Sequence, residues 1–336
     1  LITAIATLTW PALVAPIIGP PLGGFITSYA SWRWIFYINL PLGLIAMALA
    51  WRLIPDIHDD DRRPFDGIGF TGTAVAMISL VYGLEMLGQS QINVLPTVSL
   101  LVLGAAALWF SLWHFKHAKH PMIRLDALKV QTFGVTMYGG SLFRTSISAV
   151  PFLLPLLFQV GFGMDAFHSG LLVLAVFAGN LAMKPATTSL IRALGFKKLL
   201  IINGLLNVAS LLACAFLTPH TAAWATIAIL FFGGMFRSMQ FTGISTLAFS
   251  DVPSTQMSYA NTLFSTATQL SVGLGITLGA IGIRLGEKVS QWLDLTAIPG
   301  ISIKISFVMI TLICLAGLFD LLRLPHNAGS SVSKKH

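Results

Sequence analysis

Long apolar runs alternate with short polar connectors along the whole chain. A helix that crosses a membrane needs about 20 mostly apolar residues. The pattern therefore predicts an all-α, polytopic membrane protein with ten visible spans. The predicted spans are residues 5–29, 34–54, 67–88, 94–114, 132–158, 167–190, 198–217, 223–248, 257–284 and 302–322.

Composition supports this class of protein. Hydrophobic residues make up 55% of the 336 residues and charged residues only 10%, less than half of the usual share in soluble domains. The formal net charge of +8 does not favour a nucleic-acid partner, because the basic residues form short clusters between apolar runs. Cys214 and Cys314 lie in apolar runs and are predicted to be buried hydrophobic side chains, with no disulfide framework.

The basic residues of the connectors are divided unevenly between the two sides of the membrane. Because Lys and Arg are enriched in cytoplasmic loops, the richer side is predicted to be cytoplasmic, together with the C-terminus. The poorer side holds Arg33, Arg284, Lys288 and Lys304. The richer side holds Arg52, Arg62, Arg63, Lys116, Lys119, Arg124, Lys129, Arg192, Lys197, Lys198, Arg323, Lys334 and Lys335.

The first predicted span concentrates proline and glycine in the sequence APIIGPPLGG at residues 15–24. Ala15, Gly19 and Gly23 are spaced four apart, so they share one helix face against which another helix can pack closely. Pro16 and Pro20 are also four apart, and each removes a backbone donor. This pattern alone is equally typical of a general packing face between membrane helices.

The residues that follow, SWRWIFYINLPLG at 31–43, change that interpretation. Together the two stretches resemble the glycine-proline antiporter motif and the next helix of the major facilitator superfamily, above all its fourteen-helix EmrB/QacA-type drug:proton antiporters. Ala15 departs from the glycine usual in that family, although alanine is also small. The resemblance implies that the antiporter-motif residues are Ala15, Pro16, Gly19, Pro20, Gly23 and Gly24.

The resemblance also implies a domain organisation, with the ten spans matching helices five to fourteen of the family. Residues 1–54 would end an N-terminal six-helix bundle, and residues 55–131 would hold a polar connector and two linker helices. Residues 132–323 would form a C-terminal six-helix bundle, and residues 324–336 a cytoplasmic tail. Because the chain begins with Leu1 at the edge of an apolar run, we expect a fragment that lacks the first four helices.

Two arginines are predicted to lie within the membrane. Arg144 is near the middle of the fifth span and Arg237 near the middle of the eighth, with Gln240 one turn later. Charges inside a bilayer usually face the bundle interior or a water-filled cavity. We therefore expect these residues to line a substrate cavity; the alternative is that each arginine extends to the membrane surface. The flanking Phe143 and Met239 are candidate walls, since adaptable apolar side chains suit varied substrates.

Few acidic or histidine residues lie where they could relay protons or bind a metal ion. Glu85, near the outer end of the third span, is a candidate for proton relay or else an interfacial residue. Asp66 is placed to cap the following helix. The spaced trio His114, His117 and His120 could bind zinc, but the basic residues around it favour an interfacial loop, and no metal site is predicted.

The sequence contains no nucleotide-binding loop or nucleophile elbow, so we expect neither an enzyme nor a cofactor. The resemblance implies proton-coupled export of drugs or amphiphilic small molecules across the bacterial inner membrane. Its partners would be the substrate, protons and the bilayer, with a periplasmic adaptor protein as a candidate. The family's coupling carboxylates lie mostly on its early helices, so we expect this chain alone to be inactive. The alternatives are export of a small anionic metabolite or siderophore, and a non-transporting truncated membrane protein.

Overall fold

The computed structural model describes residues 19, 22–53, 65–87, 93–119, 121–325 and 328–329. Within these ranges the chain is helical throughout its regular structure. The helices are α1 (residues 22–29), α2 (Trp34–Tyr37), α3 (Asn39–Leu53), α4 (Gly67–Leu87), α5 (Val94–His117), α6 (Gln131–Leu156), α7 (Ala166–Leu194), α8 (Phe196–Ala215), α9 (Ala223–Ser250), α10 (Met257–Trp292) and α11 (Ile301–Leu321).

Nine helical segments in the described part of the chain are long and apolar enough to cross a membrane, with α2 and α3 together forming one of them. They confirm nine of the ten predicted spans; most of the first, at 5–29, lies outside the described residues. Four helices run past their predicted ends: α5 continues to His117, α7 to Leu194, α9 to Ser250 and α10 to Trp292. The apolar run stops at the first charged residues, but a helix can continue beyond the hydrocarbon layer.

Helices α6 to α11 pack into one bundle. Helix α6 contacts α9, α10 and α11, α7 contacts α9, and α8 bridges α9 and α11. Buried apolar side chains from these helices form a continuous core, with Phe307, Leu153 and Leu200 fully enclosed. We call the end of this bundle at which α6 begins and α7 ends the basic end, because Arg192, Lys197 and Lys198 lie beside it.

Helices α7 and α9 cross with their backbones in direct contact. A Cβ atom placed on Gly179 of α7 would lie 1.9 Å from the carbonyl oxygen of Phe231. A Cβ atom on Gly234 of α9 would lie 2.0 Å from the carbonyl oxygen of Val176. Small residues allow membrane helices to approach in this way, and these two glycines set the distance between α7 and α9.

Helices α4 and α5 form a hairpin beside the bundle, and α4 packs against α10. Asp66 closes the hairpin, and it caps α4 as predicted by accepting the backbone N–H of Gly69 at 2.8 Å. Its carboxylate also lies 2.8 Å from Nε2 of His114 and accepts the backbone N–H of Met122 at 3.0 Å. Burial opposes ionisation of Asp66, but the two backbone N–H groups and His114 together hold its pKa below its ordinary value.

Candidate functional site

Helix α6 is irregular toward the end that meets α7. Pro151 and Pro155 lie inside the helix, where neither can donate a backbone hydrogen bond. A π-helical turn, Leu157–Gly161, follows directly. Such turns occur often at functional sites. This one carries Gln159, whose Nε2 donates to the hydroxyl of Ser169 on α7 at 3.3 Å, so a polar pair lies where α6 meets α7.

A cavity of about 280 Å³ opens beside this polar pair. Its volume is near the lower bound for small-molecule sites. Gly24 and Thr27 of α1 form one wall, and residues of α6 and α7 form the other. The second wall includes Pro155, Gln159, Ser169, Val173 and Phe177. We call it the α1–α7 cavity, because it lies between α1 and the bundle of helices α6 to α11. We refer to α1 as the glycine-proline helix, because it carries Gly23 and Gly24 of the glycine-proline stretch, and to the bundle as the C-terminal bundle.

The contact between α1 and α7 depends on one glycine. A Cβ atom on Gly24 would lie 2.9 Å from the carbonyl oxygen of Ala166, the first residue of α7. No described atom lies within 4 Å of the corresponding positions on Gly19 and Gly23. The other motif residues, Ala15, Pro16 and Pro20, lie outside the described residues.

Arg237 lies behind one wall of the α1–α7 cavity. The centre of its guanidinium group is 5.9 Å from the centroid of the Phe177 ring, which faces that cavity. On its other side Arg237 lines a much smaller cavity together with Asn207 and Ser210. Among the described residues Arg237 has no hydrogen-bond or ion-pair partner. Phe177 thus separates an uncompensated cation from the larger cavity.

Arg144 does not reach the α1–α7 cavity. Its side chain is only 2% exposed and turns back toward the basic end, where Nη2 donates to the carbonyl oxygen of Thr136 at 3.3 Å and to Oγ of Ser141 at 3.0 Å. The guanidinium group stacks 4.6 Å from the centroid of the Phe264 ring of α10. Nε and Nη1 have no partner among the described residues. The long side chain allows this reach from a mid-span position. A role of Arg144 in a substrate cavity stays a prediction.

The remaining cavity candidates are packed inside the bundle. Gln240 is fully buried, where its Nε2 donates to the carbonyl oxygen of Leu200 at 3.0 Å and its Oε1 accepts from Asn203 at 2.8 Å. These bonds join α9 to α8. Phe143 and Met239 belong to the hydrophobic core. Hydrogen bonding and packing against neighbouring helices explain why these three do not line the α1–α7 cavity.

Glu85 is exposed on α4 and does not line the α1–α7 cavity. No group of three or more His, Cys, Asp or Glu side chains within the described ranges is arranged to hold a metal ion. Of the histidine trio, His114 bonds to Asp66, and Nδ1 of His117 lies 2.8 Å from the carbonyl oxygen of Trp113. His120 lies outside the described residues.

Sequence reasoning did not select the polar and aromatic lining of the α1–α7 cavity. Gln159 and Ser169 are uncharged, and Phe177 is one of 23 phenylalanines in the chain. A usable signal was the position of Gln159 shortly after two prolines spaced four apart, Pro151 and Pro155. Such spacing predicts freed backbone carbonyls near a helix end, where a polar side chain has a structural reason to be present.

Comparison with known proteins gives concordant matches. The chain is 35% identical over 286 residues to a protein of Pectobacterium carotovorum named multidrug resistance protein MdtD, covering 84% of this chain and 60% of that protein. Proteins of the same name in Klebsiella pneumoniae and Escherichia coli O6:H1 are 30% and 32% identical, covering 98% and 86% of this chain and 69% and 60% of the relative. The chain thus spans about 60% of the length of most of these relatives.

The family model of the Major Facilitator Superfamily matches residues 1–276, which is more than half of the chain. This match and the nine apolar helices of the described part identify an integral membrane protein. The chain belongs to the major facilitator superfamily.

Proposed function

We propose that this chain is part of a proton-coupled exporter of drugs or similar amphiphilic small molecules. The observation that carries the proposal is the α1–α7 cavity, where Gly24 of the glycine-proline helix packs against Ala166 of the C-terminal bundle. The names of its relatives support drugs as the substrate class.

The cavity walls suit such a substrate. Phe177 and Val173 offer apolar contacts, while Gln159 and Ser169 offer hydrogen bonds that can orient a ligand. Transporters of this kind rock two helical bundles about a shared central site. In the proposed cycle, the contact of Gly24 with Ala166 closes one side of the cavity, and its separation opens that side. The close backbone approach at Gly24 makes the seal tight, because no side chain holds the helices apart.

We place the protein in the bacterial inner membrane with the basic end and the C-terminus in the cytoplasm. The proposed exit is then at the end of the bundle where α1 meets α7. A periplasmic adaptor protein would receive the substrate on that side. Cysteine-accessibility labelling at Lys198, at the basic end, and at Thr221, between α8 and α9, tests this orientation in whole cells.

Proton coupling needs a carboxylate that can change its protonation state within the membrane. Among the described residues the spanning helices offer no mid-span carboxylate: Glu85 is exposed toward one end of α4, Glu287 is exposed toward the end of α10, and Asp320 lies one residue before the end of α11. We therefore infer that the 336-residue chain does not drive transport by itself. Proton-driven dye uptake into inverted vesicles that contain only this chain would contradict that inference.

The test of function uses the product of the complete reading frame that contains this chain, in inverted membrane vesicles. A cationic dye should accumulate when a proton gradient is imposed, and an uncoupler should abolish accumulation. Phe177→Ala should lower uptake at least fivefold, because it removes an aromatic wall of the cavity. Phe232→Ala, a matched change at a side chain 52% exposed on α9, should leave uptake unchanged. Equal uptake by both variants would show that the α1–α7 cavity does not bind the transported dye.

A second candidate function is export of a small anionic metabolite or siderophore. It is favoured by Arg237, which lies behind Phe177 and has no hydrogen-bond or ion-pair partner among the described residues. Arg237→Gln should then abolish export of a carboxylate substrate, whereas export of cationic dyes should persist. With Arg237 intact, protection of a cysteine at position 210, which lines the same small cavity, from labelling by an anionic substrate would support this function, and protection by cationic dyes alone would support the first.

A further inference from the structure

A basic pocket lies at the end of α5, away from the α1–α7 cavity. It has a volume of about 420 Å³ and lies between the last turn of α5 and the first residues before α6. Its apolar lining residues include Phe115, which is buried, and Leu125, which is half-buried. The exposed charged side chains on its walls are Lys116, Lys119, Arg124, Asp126 and Lys129.

The charges of this basic pocket do not cancel. Nζ of Lys129 donates to the carboxylate of Asp126 at 2.9 Å, which neutralises the one acidic residue of the lining. Lys116 and Lys119 have no hydrogen-bond or ion-pair partner among the described residues. The guanidinium group of Arg124 stacks 4.7 Å from the centroid of the Tyr259 ring of α10, which fixes its position. Three positive charges therefore remain around one concave surface.

The same helix leads from the basic pocket into the membrane. Trp109, Trp113 and Lys116 are spaced four and three apart, so they share one face of α5. The two tryptophans are 71% and 50% exposed, and α5 makes its main contact with α4 alone. Tryptophan is enriched where a membrane meets water. The face of α5 thus presents an apolar, aromatic surface that ends at the cations.

We propose that this basic pocket binds the phosphate headgroup of an anionic phospholipid, with the acyl chains lying along Trp109 and Trp113. Basic pockets beside membrane helices are known to suit such headgroups. A soluble phosphate compound offers the same headgroup chemistry but makes no use of the aromatic face. The continuity of that face with Lys116 is the reason to choose a lipid. The proposal is independent of the transported substrate.

The experiment measures lipid binding to the purified 336-residue chain in a neutral detergent by native mass spectrometry. The probes are dioleoylphosphatidylglycerol, dioleoylphosphatidylcholine and glycerol 3-phosphate. We expect phosphatidylglycerol to bind at least tenfold more tightly than phosphatidylcholine, and glycerol 3-phosphate to bind far more weakly than the lipid. Each lysine near a membrane surface contributes about fivefold to binding of anionic lipid, so Lys116→Gln/Lys119→Gln should weaken phosphatidylglycerol binding roughly 25-fold.

The matched control is Lys197→Gln/Lys198→Gln, which removes the same charge from the first turn of α8 at the basic end. Neither double variant alters a buried apolar side chain, and gel filtration checks that both remain folded. The control should retain wild-type lipid binding. Equal weakening by both double variants would show a diffuse charge effect and overturn the proposal. Tight binding of glycerol 3-phosphate alone would assign the pocket to a soluble ligand and overturn it as well.

Discussion

The carboxylate of Asp66 lies 2.8 Å from Nε2 of His114, and this contact joins the start of α4 to the end of α5. The same carboxylate accepts backbone N–H groups from Gly69 and Met122. With its side chain only 7% exposed, Asp66 connects α4, α5 and the segment that leads to α6. Removing its charge weakens these hydrogen bonds, and in asparagine the NH2 group that replaces one carboxylate oxygen cannot accept any of them.

Asp66→Asn should destabilise the protein by about 1–3 kcal/mol at neutral pH, because buried donors lose a charged acceptor. Burial opposes ionisation of Asp66, but the backbone N–H groups of Met122 and Gly69, together with His114, hold its pKa in the folded state below its ordinary value. The stabilisation that these bonds give is therefore fully present above the unfolded-state pKa of about 4 and is lost as the pH falls from there through the folded-state pKa. Thermal unfolding in detergent at pH 7, 5 and 3 measures the stability of both proteins. The difference between wild type and Asp66→Asn should be smallest at pH 3. Asp294→Asn, at an exposed position, should show no such difference.

Gly24→Leu should abolish export by the complete gene product without reducing its amount in the membrane. A Cβ atom at this position would lie 2.9 Å from a backbone oxygen of Ala166, so a larger side chain must separate α1 from α7. Dye efflux and membrane immunoblotting measure the two effects. Gly43→Leu on α3, where no described atom lies within 4 Å, is the control and should export normally. Normal export by Gly24→Leu would show that this contact is not needed for transport.

Gly179→Ala should destabilise the C-terminal bundle by about 1–3 kcal/mol or prevent its folding. The added methyl group would lie 1.9 Å from the carbonyl oxygen of Phe231, and the α7 and α9 backbones must separate to admit it. Gly273→Ala makes the same change where the nearest atom, a methyl of Val81, is 3.7 Å away, an ordinary contact. The midpoint temperature of thermal unfolding should be far lower for Gly179→Ala than for Gly273→Ala.

Arg144→Met should leave thermal stability unchanged or raise it by about 1–4 kcal/mol. Arg144 is a buried cation with two unpartnered donor atoms, and an apolar side chain of similar length avoids the cost of its desolvation. Arg144→Ala should instead lower stability, since it leaves a cavity beside Phe264. A loss of stability in Arg144→Met as large as in Arg144→Ala would show that the charge itself holds α6 against α10.

The membrane spans could be predicted from the sequence because each apolar run must be about as long as the bilayer is thick. The same reasoning could not place side chains around a helix. Arg144 and Gln240 are both polar and mid-span, yet one turns back toward the basic end and the other joins α8 to α9. Side-chain reach and the identity of the neighbouring helix decide these outcomes, and neither is encoded in local hydropathy.

The proposed functional cavity was the hardest feature to predict. Its walls bring α1 against the consecutive helices α6 and α7, which lie much later in the sequence, and its lining carries no charge. The glycine-proline stretch was recognisable as a close-packing surface, but its pattern does not single out Gly24. The position of Ala166 at the first turn of α7 makes that residue the point of approach.

The attachment of the α4–α5 hairpin to α10 has a consequence for observing the protein at work. The hairpin is joined to the C-terminal bundle by the packing of α4 and by the hydrogen bond from Nη1 of Arg284 to the carbonyl oxygen of Leu87, 2.9 Å long. It should therefore travel with that bundle during any rocking motion. The distance between spectroscopic labels on α5 and α10 should stay constant during transport. It can serve as the reference for a distance between α1 and α7 that changes.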